Sequence, residues 1–471
     1  MTGPVDAYLR RCDPAGDASL LRCVRRAEEA SDAAPARRCL ARPMFHDAAE
    51  FAALTADVTA LGTLLEDVGE RCFGGSAGYL AAQGVDADMI ELILAGRTGR
   101  TSANVRADVF VADGRARIIE LNRGSGLGGF DICRMNAALL AVPEFADFAR
   151  EHGLDHVDTL ALFAEQLRAA GAEVSGGRTP TVALVEESGA GTTAGGTCAR
   201  LCASLRSRGL DVVHGELADL SMAGGRVGLG GRRVDVVFRY FFAIHLLASP
   251  TDRAVMDRLV RADRDGAVVL FPALDTDVCE RKSALALLRT PAVWATLTAD
   301  ERALVTRRLP WTRLLGSDFP HVSARERADL VEECRARRTD LVLKPADGRG
   351  GVGLVFGAET TDARWHALLE SEAIRNHLVQ DRVTPDGEWI ADADTGRVAP
   401  WHVIWGVYVL DGRYAGTNVR GRPASDGGVI GGRGNPFSPG CAFSSGQGPV
   451  VSRSVERSPS AAMSPAQNSS R

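Results

Sequence analysis

The stretch LVLKPADGRGGVGLVFG, residues 341–357, sets a lysine on a strand and follows it with a glycine-rich turn. Glycines let backbone N–H groups come close to a phosphate. The turn Gly348-Arg349-Gly350-Gly351-Val352-Gly353 fits G-x-G-x-x-G, and Val355 extends the fit to the kinase-like form. The same spacing recurs at Gly124, Gly126 and Gly129, and almost recurs at Gly189, Gly191 and Ala194. In a chain with 51 glycines the pattern alone says little. Its context decides.

A second group lies upstream. In RIIELNRGSGLGG, residues 117–129, Glu120 and Asn122 are two apart and share one face of a strand. A carboxylate and an amide oxygen on one face suit Mg²⁺, which takes oxygen ligands and keeps several waters. Arg106 and Asp108 are also two apart, on the other arm of a hairpin turning at Asp113-Gly114. All four side chains can then reach one face. A solvated cross-strand ladder of ion pairs would use the same residues.

The three glycine turns differ in the element that comes after each. Beyond Gly189 lies a helix, the setting of a dinucleotide-binding turn. An NAD(P)-dependent oxidoreductase built on Gly189 is therefore one alternative. Against it, Glu186 and Glu187 would repel a pyrophosphate, and Glu216 comes late for a ribose reader. The turn after Lys344 leads into a strand, so it is not a Rossmann turn. No Lys-Ser/Thr succeeds its glycines, which excludes Walker A, and the chain lacks the H-R-D and D-F-G of kinases.

The elements that must position these groups form a mixed α/β chain of 471 residues, too long for one core. Residues 1–100 read as a helical N-terminal region. Residues 101–178 hold the carboxylate hairpin, and 179–270 form a separate small α/β unit of strand, turn, helix and strand. Residues 271–437 carry the lysines and the glycine flap. From 438 to 471 the chain turns to Gly, Ser, Pro and Gln and is expected to be disordered.

A net charge of −5 shows no basic stripe for nucleic acid. No secretory h-region is read at the N-terminus, and VVFRYFFAIHLLA is broken by Arg239 and too short to span a bilayer. A soluble, cytoplasmic protein is expected, without membrane or nucleic-acid partners. The ten cysteines include no C-x-x-C. Cys198 and Cys202 share a helix face, but zinc would need two more ligands nearby, so buried free thiols are expected.

Taken in order, the motifs resemble the circularly permuted branch of the ATP-grasp superfamily, which includes glutathionylspermidine synthetases and eukaryotic-type glutathione synthetases. That branch shows R-x-D, E-x-N, a helical lysine, K-P-x-x-G-x-G-G and a late arginine. Here stand RAD, ELN, ERKSALALL, KPADGRGGVG and WGVYVLDGRYAGTNVR, spanning about residues 104–422. The flap glutamate common in the family is absent, and Asp347 is the only acid there.

The resemblance implies an α/β permuted ATP-grasp body and an ATP-dependent carboxylate–amine ligase working through an acyl phosphate. Asp108, Glu120 and Asn122 would bind Mg²⁺, and Arg106 would stabilise the acyl phosphate. Lys282, Lys344 and the N–H groups of Gly350 and Gly351 would hold the ATP phosphates, Arg420 the γ-phosphate, and Gln380 the base. In the 179–270 unit, the helix N-terminus at Thr192 and Thr193, or Arg239, would receive a substrate carboxylate; a structural salt bridge is the other reading of Arg239. The substrates would be small carboxylates and amines, such as amino acids, peptides or polyamines. A catalytically inactive ATP-grasp binding protein is the remaining alternative.

Overall fold

The computed structural model describes residues 3–30, 37–100, 102–190, 196–431 and 435–446. Its central element is an antiparallel sheet in the order 438–440, 413–423, 398–410, 105–112, 115–123, with 388–391 added against 398–410. The expected hairpin forms within it, turning at Asp113 and Gly114 with φ of 51° and 66°. Arg106 faces Asn122 and Asp108 faces Glu120 in the register, so the four polar side chains share one face. Ala107, Val109, Ile118 and Leu121 point into the core from the other.

That core is closed by the helix Ala48–Phe73. Asp47 caps its first turn by accepting from the Ala49 and Glu50 N–H groups, and Gly74 ends it at φ 67°. Leu54, Val58, Leu61, Leu65 and Val68 recur at helical spacing and are buried in the cluster that includes the sheet's inner face. The helix is long and apolar enough to cross a membrane by composition, but its apolar stripe is spent on this core. The N-terminal helices thus support the central sheet.

The 179–270 segment builds a parallel sheet, ordered 269–271, 236–239, 181–186, 211–216, with a small antiparallel meander of 220–223, 226–229 and 232–234. Strand Thr181–Glu186 is central and fully buried, which its run of Val, Ala and Leu reflects. A third sheet, 312–314, 377–381, 341–345 and 355–356, carries Lys344 and the glycine flap between its last two strands.

The chain's end departs from expectation. Ser438–Gly440 joins the central sheet, and Ala442–Ser445 pairs with Met44–Asp47 and with Leu154–Asp155. The composition is poor in apolar residues, yet Cys441, Ala442 and Phe443 are all buried. A few well-placed apolar groups suffice where a ready-made sheet edge supplies the hydrogen bonds. Residues 438–446 therefore do not belong to a disordered tail, and the rest of the expected tail, residues 447–471, lies outside the described residues.

Candidate functional site

One cavity of about 320 Å³ is lined by Arg106, Asp108, Glu120, Asn122, Lys282, Lys344, Gly350, Gly351, Gln380 and Arg420. These are all the candidate catalytic, nucleotide and metal residues outside the 179–270 unit, and they come from five separated stretches of chain.

Asp108 is the hub. Arg106 Nε donates to its Oδ1 at 2.9 Å, and Arg420 Nη2 lies 2.9 Å from its Oδ2. Burial alone would raise this carboxyl, but Arg106 and Arg420 outweigh it and hold its pKa down at about 2. Arg106 can lie along the sheet because Gly406 is opposite Asp108 in the register. A Cβ at Gly406 would sit 3.1 Å from Arg106 Cδ and 2.9 Å from the Asn418 carbonyl oxygen. The isolated glycine in WGVYV is a sequence signal for such a close approach.

Glu120 is also engaged. Lys282 Nζ lies 3.0 Å from Glu120 Oε1 and donates to the Gly348 carbonyl of the flap. Asn122 Nδ2 donates to the Arg106 carbonyl at 3.3 Å. Lys344 is 7 % exposed and has no side-chain hydrogen bond or ion pair among the described residues. Burial pushes its pKa down to about 8, against the pull of Glu120.

The flap bends through Gly350, Gly351 and Gly353 at φ 61°, 74° and 78°. A Cβ on Gly351 would overlap Val429 Cγ1 at 2.4 Å, so only glycine fits both the backbone and the space. Asn435 Nδ2 donates to the Gly350 carbonyl at 3.0 Å, and Arg422 Nη1 to the Val429 carbonyl at 3.1 Å. Both contacts fasten the loop beside the flap, and no local pattern in the sequence marks Asn435 for such a role. Phe110, Ile119, Val342, Phe356 and Ile404 form an apolar side of the same cavity. Gln380 donates there to Thr312 Oγ1 at 3.0 Å.

The candidates in the 179–270 unit are placed differently. Arg239 is fully buried, paired with Asp277 at 2.6 Å and donating to the Pro272 carbonyl at 2.9 Å. It does not line this cavity. The salt-bridge alternative is the arrangement found, because the inward face of a buried parallel strand offers no solvent. Thr192 and Thr193 lie outside the described residues. At the Gly189 turn, the Gly189 N–H donates to Glu216 Oε2 at 2.7 Å and the Ser188 N–H to Asp252 at 3.0 Å. Carboxylates thus take the N–H groups of Ser188 and Gly189.

Cys198 sits with Glu186 and His214, their ligand atoms within 4.8 Å of one another, while Cys202 stands apart. His214 Nε2 is 2.6 Å from Glu186 Oε2.

No protein-family model matches the chain, and no curated protein matches it. Solved structures do. A glutathione synthetase-like effector from Globodera pallida, in its apo form, superposes with a TM-score of 0.55 at 12% identity, covering 91% of this chain and 97% of that one. A protein from Methylobacillus flagellatus KT, described as a candidate γ-glutamylcysteine synthetase, aligns over 79% of this chain and 83% of its own at 12% identity. Its TM-score of 0.39 is too low to establish a shared fold. The chain therefore has the glutathione synthetase-like α/β fold of the effector, and the likeness extends to the fold alone.

Proposed function

We propose that the protein is an ATP-dependent carboxylate–amine ligase of the permuted ATP-grasp type. The observation that carries this reading is the convergence on one cavity of Arg106, Asp108, Glu120, Asn122, Lys282, Lys344, the flap glycines and Arg420. Phosphoryl transfer needs little covalent help; it needs charge neutralised and reactants aligned. Lys282 and Lys344 would face the nucleotide phosphates, the N–H groups of Gly350 and Gly351 would cover them, and the apolar side of the cavity would take the base. A substrate carboxylate oxygen would attack the γ-phosphorus and ADP would leave. Arg106 and Arg420, held in place by Asp108, would then orient the acyl phosphate for an amine.

Asp108, Glu120 and Asn122 offer oxygen donors only, a set that suits Mg²⁺. When bound, the ion supplies charge neutralisation between phosphate oxygens. Both Asp108 oxygens lie against arginines, so Glu120 and Asn122 would hold the ion most directly, Glu120 exchanging its contact with Lys282 for it.

The test is ADP release with Mg²⁺ and ATP against a panel of amino acids, short peptides and amines. Glu120→Ala should abolish turnover with the fold intact, and Asn122→Ala should reduce it less, since water can replace a neutral ligand. Unchanged turnover in E120A would sink the assignment.

A further inference from the structure

A second cavity, about 530 Å³, adjoins the first and shares Arg106, Glu120, Asn122, Lys282 and the flap glycines Gly348 and Gly350 with it. Whatever binds there meets the candidate phosphoryl-transfer groups directly. The rest of its wall has two characters.

One part is hydrocarbon. Met89 and Ile93 from the helix Ala87–Ala95 and Ile244 and Leu247 from the helix Ala243–Ala248 line it, with Val85 beside them. Ile244 is 49% exposed and so offers aliphatic surface to whatever enters the cavity. The other part is acidic. Outside the shared residues, the wall carries five carboxylates against three guanidinium groups. Asp277 is committed to the buried Arg239. Glu280, 17% exposed in its side chain, is paired with Arg349 at 3.0 Å and with no other cation among the described residues. That guanidinium sits on the flap and also lies over the Phe242 ring, 3.6 Å from its centroid. Burial first, and then the neighbouring Asp277, push the Glu280 carboxyl up against the pull of Arg349 and Arg239.

We propose that this second cavity receives the amine substrate, and that the amine is a primary ammonium on an apolar body. Its charge meets Glu280, and its hydrocarbon lies on Met89, Ile93, Ile244 and Leu247. An anion of the same size would meet a wall in which, outside the shared residues, carboxylates outnumber guanidinium groups five to three. A diamine would set its second charge against the aliphatic wall, where desolvation is costly. The word substrate rests on the ligase reading; the binding chemistry does not.

The test is calorimetric titration of the full chain with butylamine, hexylamine, hexanoate and 1,6-diaminohexane. Hexylamine should bind, and each methylene from butyl to hexyl should tighten binding up to about fourfold, the equivalent of ~0.8 kcal/mol per buried CH₂. The diamine should bind at least tenfold more weakly and hexanoate should not bind. Glu280→Gln should weaken hexylamine about tenfold, Glu280→Asp should weaken it less, and Ile244→Ser, at an exposed position, should flatten the methylene dependence. Hexanoate or the diamine binding as well as hexylamine, no binding of either monoamine, or an unchanged E280Q affinity would overturn the proposal. Hexylamine binding as described in a protein that never releases ADP would instead leave the amine site standing and remove the ligase reading.

Discussion

Asp108→Asn removes one negative charge from between two nearly buried guanidinium groups, the side chains of Arg106 and Arg420 being 11% and 12% exposed. The size of the effect derives from the carboxyl's own titration. Its pKa is about 2 in the folded protein, against roughly 3.9 for an unperturbed aspartate. That difference corresponds to roughly 2–3 kcal/mol of stability at neutral pH. Because the folded pKa is the lower one, this stability is fully present above the unfolded value and is lost as pH falls through 4 towards 2. Roughly half should be gone by pH 3. The variant lacks the titrating group, so the gap between it and the parent should shrink over the same range. Urea unfolding monitored by tryptophan fluorescence at pH 7, 5, 4 and 3 measures that gap. A gap below about 0.5 kcal/mol at pH 7, or one that stays constant down to pH 3, would show that Asp108 is not the charge hub described here.

Lys344, with a pKa of about 8 in the empty cavity, should be held charged by nucleotide phosphates. ATP affinity should therefore fall as pH rises above 8, and binding at pH 8.5 should take up protons; calorimetry in two buffers of different ionisation enthalpy would detect the uptake, and none would count against the lysine. Gly351→Ala places a Cβ where Val429 already is, so the KM for ATP should rise about tenfold or more with little change in thermal midpoint; an unchanged KM would show that the flap does not close on phosphate. Phe443→Ala should cost roughly 3–5 kcal/mol in denaturant titrations, because Phe443 is fully buried. A chain ending after Gly446 should match the full-length protein in ATP turnover and thermal midpoint, and a sharp loss would show that the final segment contributes to the site.

The carboxylate row was legible because a strand repeats every two residues, so spacing alone set Arg106, Asp108, Glu120 and Asn122 on one face. The glycine flap was legible because its chemistry is local. What spacing could not show is who holds whom. The engagement of Asp108 by both arginines depends on the pairing of residues 105–109 with 405–409, almost 300 positions away. The burial of Arg239 depends on Asp277 crossing from another element. Glu280 stands in the stretch ERKSALALL, but its partner Arg349 is on the flap, and no local pattern links them. The final strand escaped notice because its stability comes from a sheet edge supplied by residues 44–47 and 154–155.

The pairing of strand Val105–Ala112 with Val398–Leu410 also has a temporal meaning. During synthesis the carboxylate hairpin leaves the ribosome long before its neighbour exists. At ordinary elongation rates the wait is ~15–60 s. Through that interval the edge of strand 105–112 that 398–410 will pair stands open, while the helix Ala48–Phe73, already made, is there to cover Ala107 and Val109 on the inner face. Arg420, which completes the clamp on Asp108, is made later still. A nascent chain interrupted between Lys344 and Arg420 therefore carries both cavity lysines but not the completed clamp on Asp108, so the site as a whole is assembled only in a nearly finished molecule.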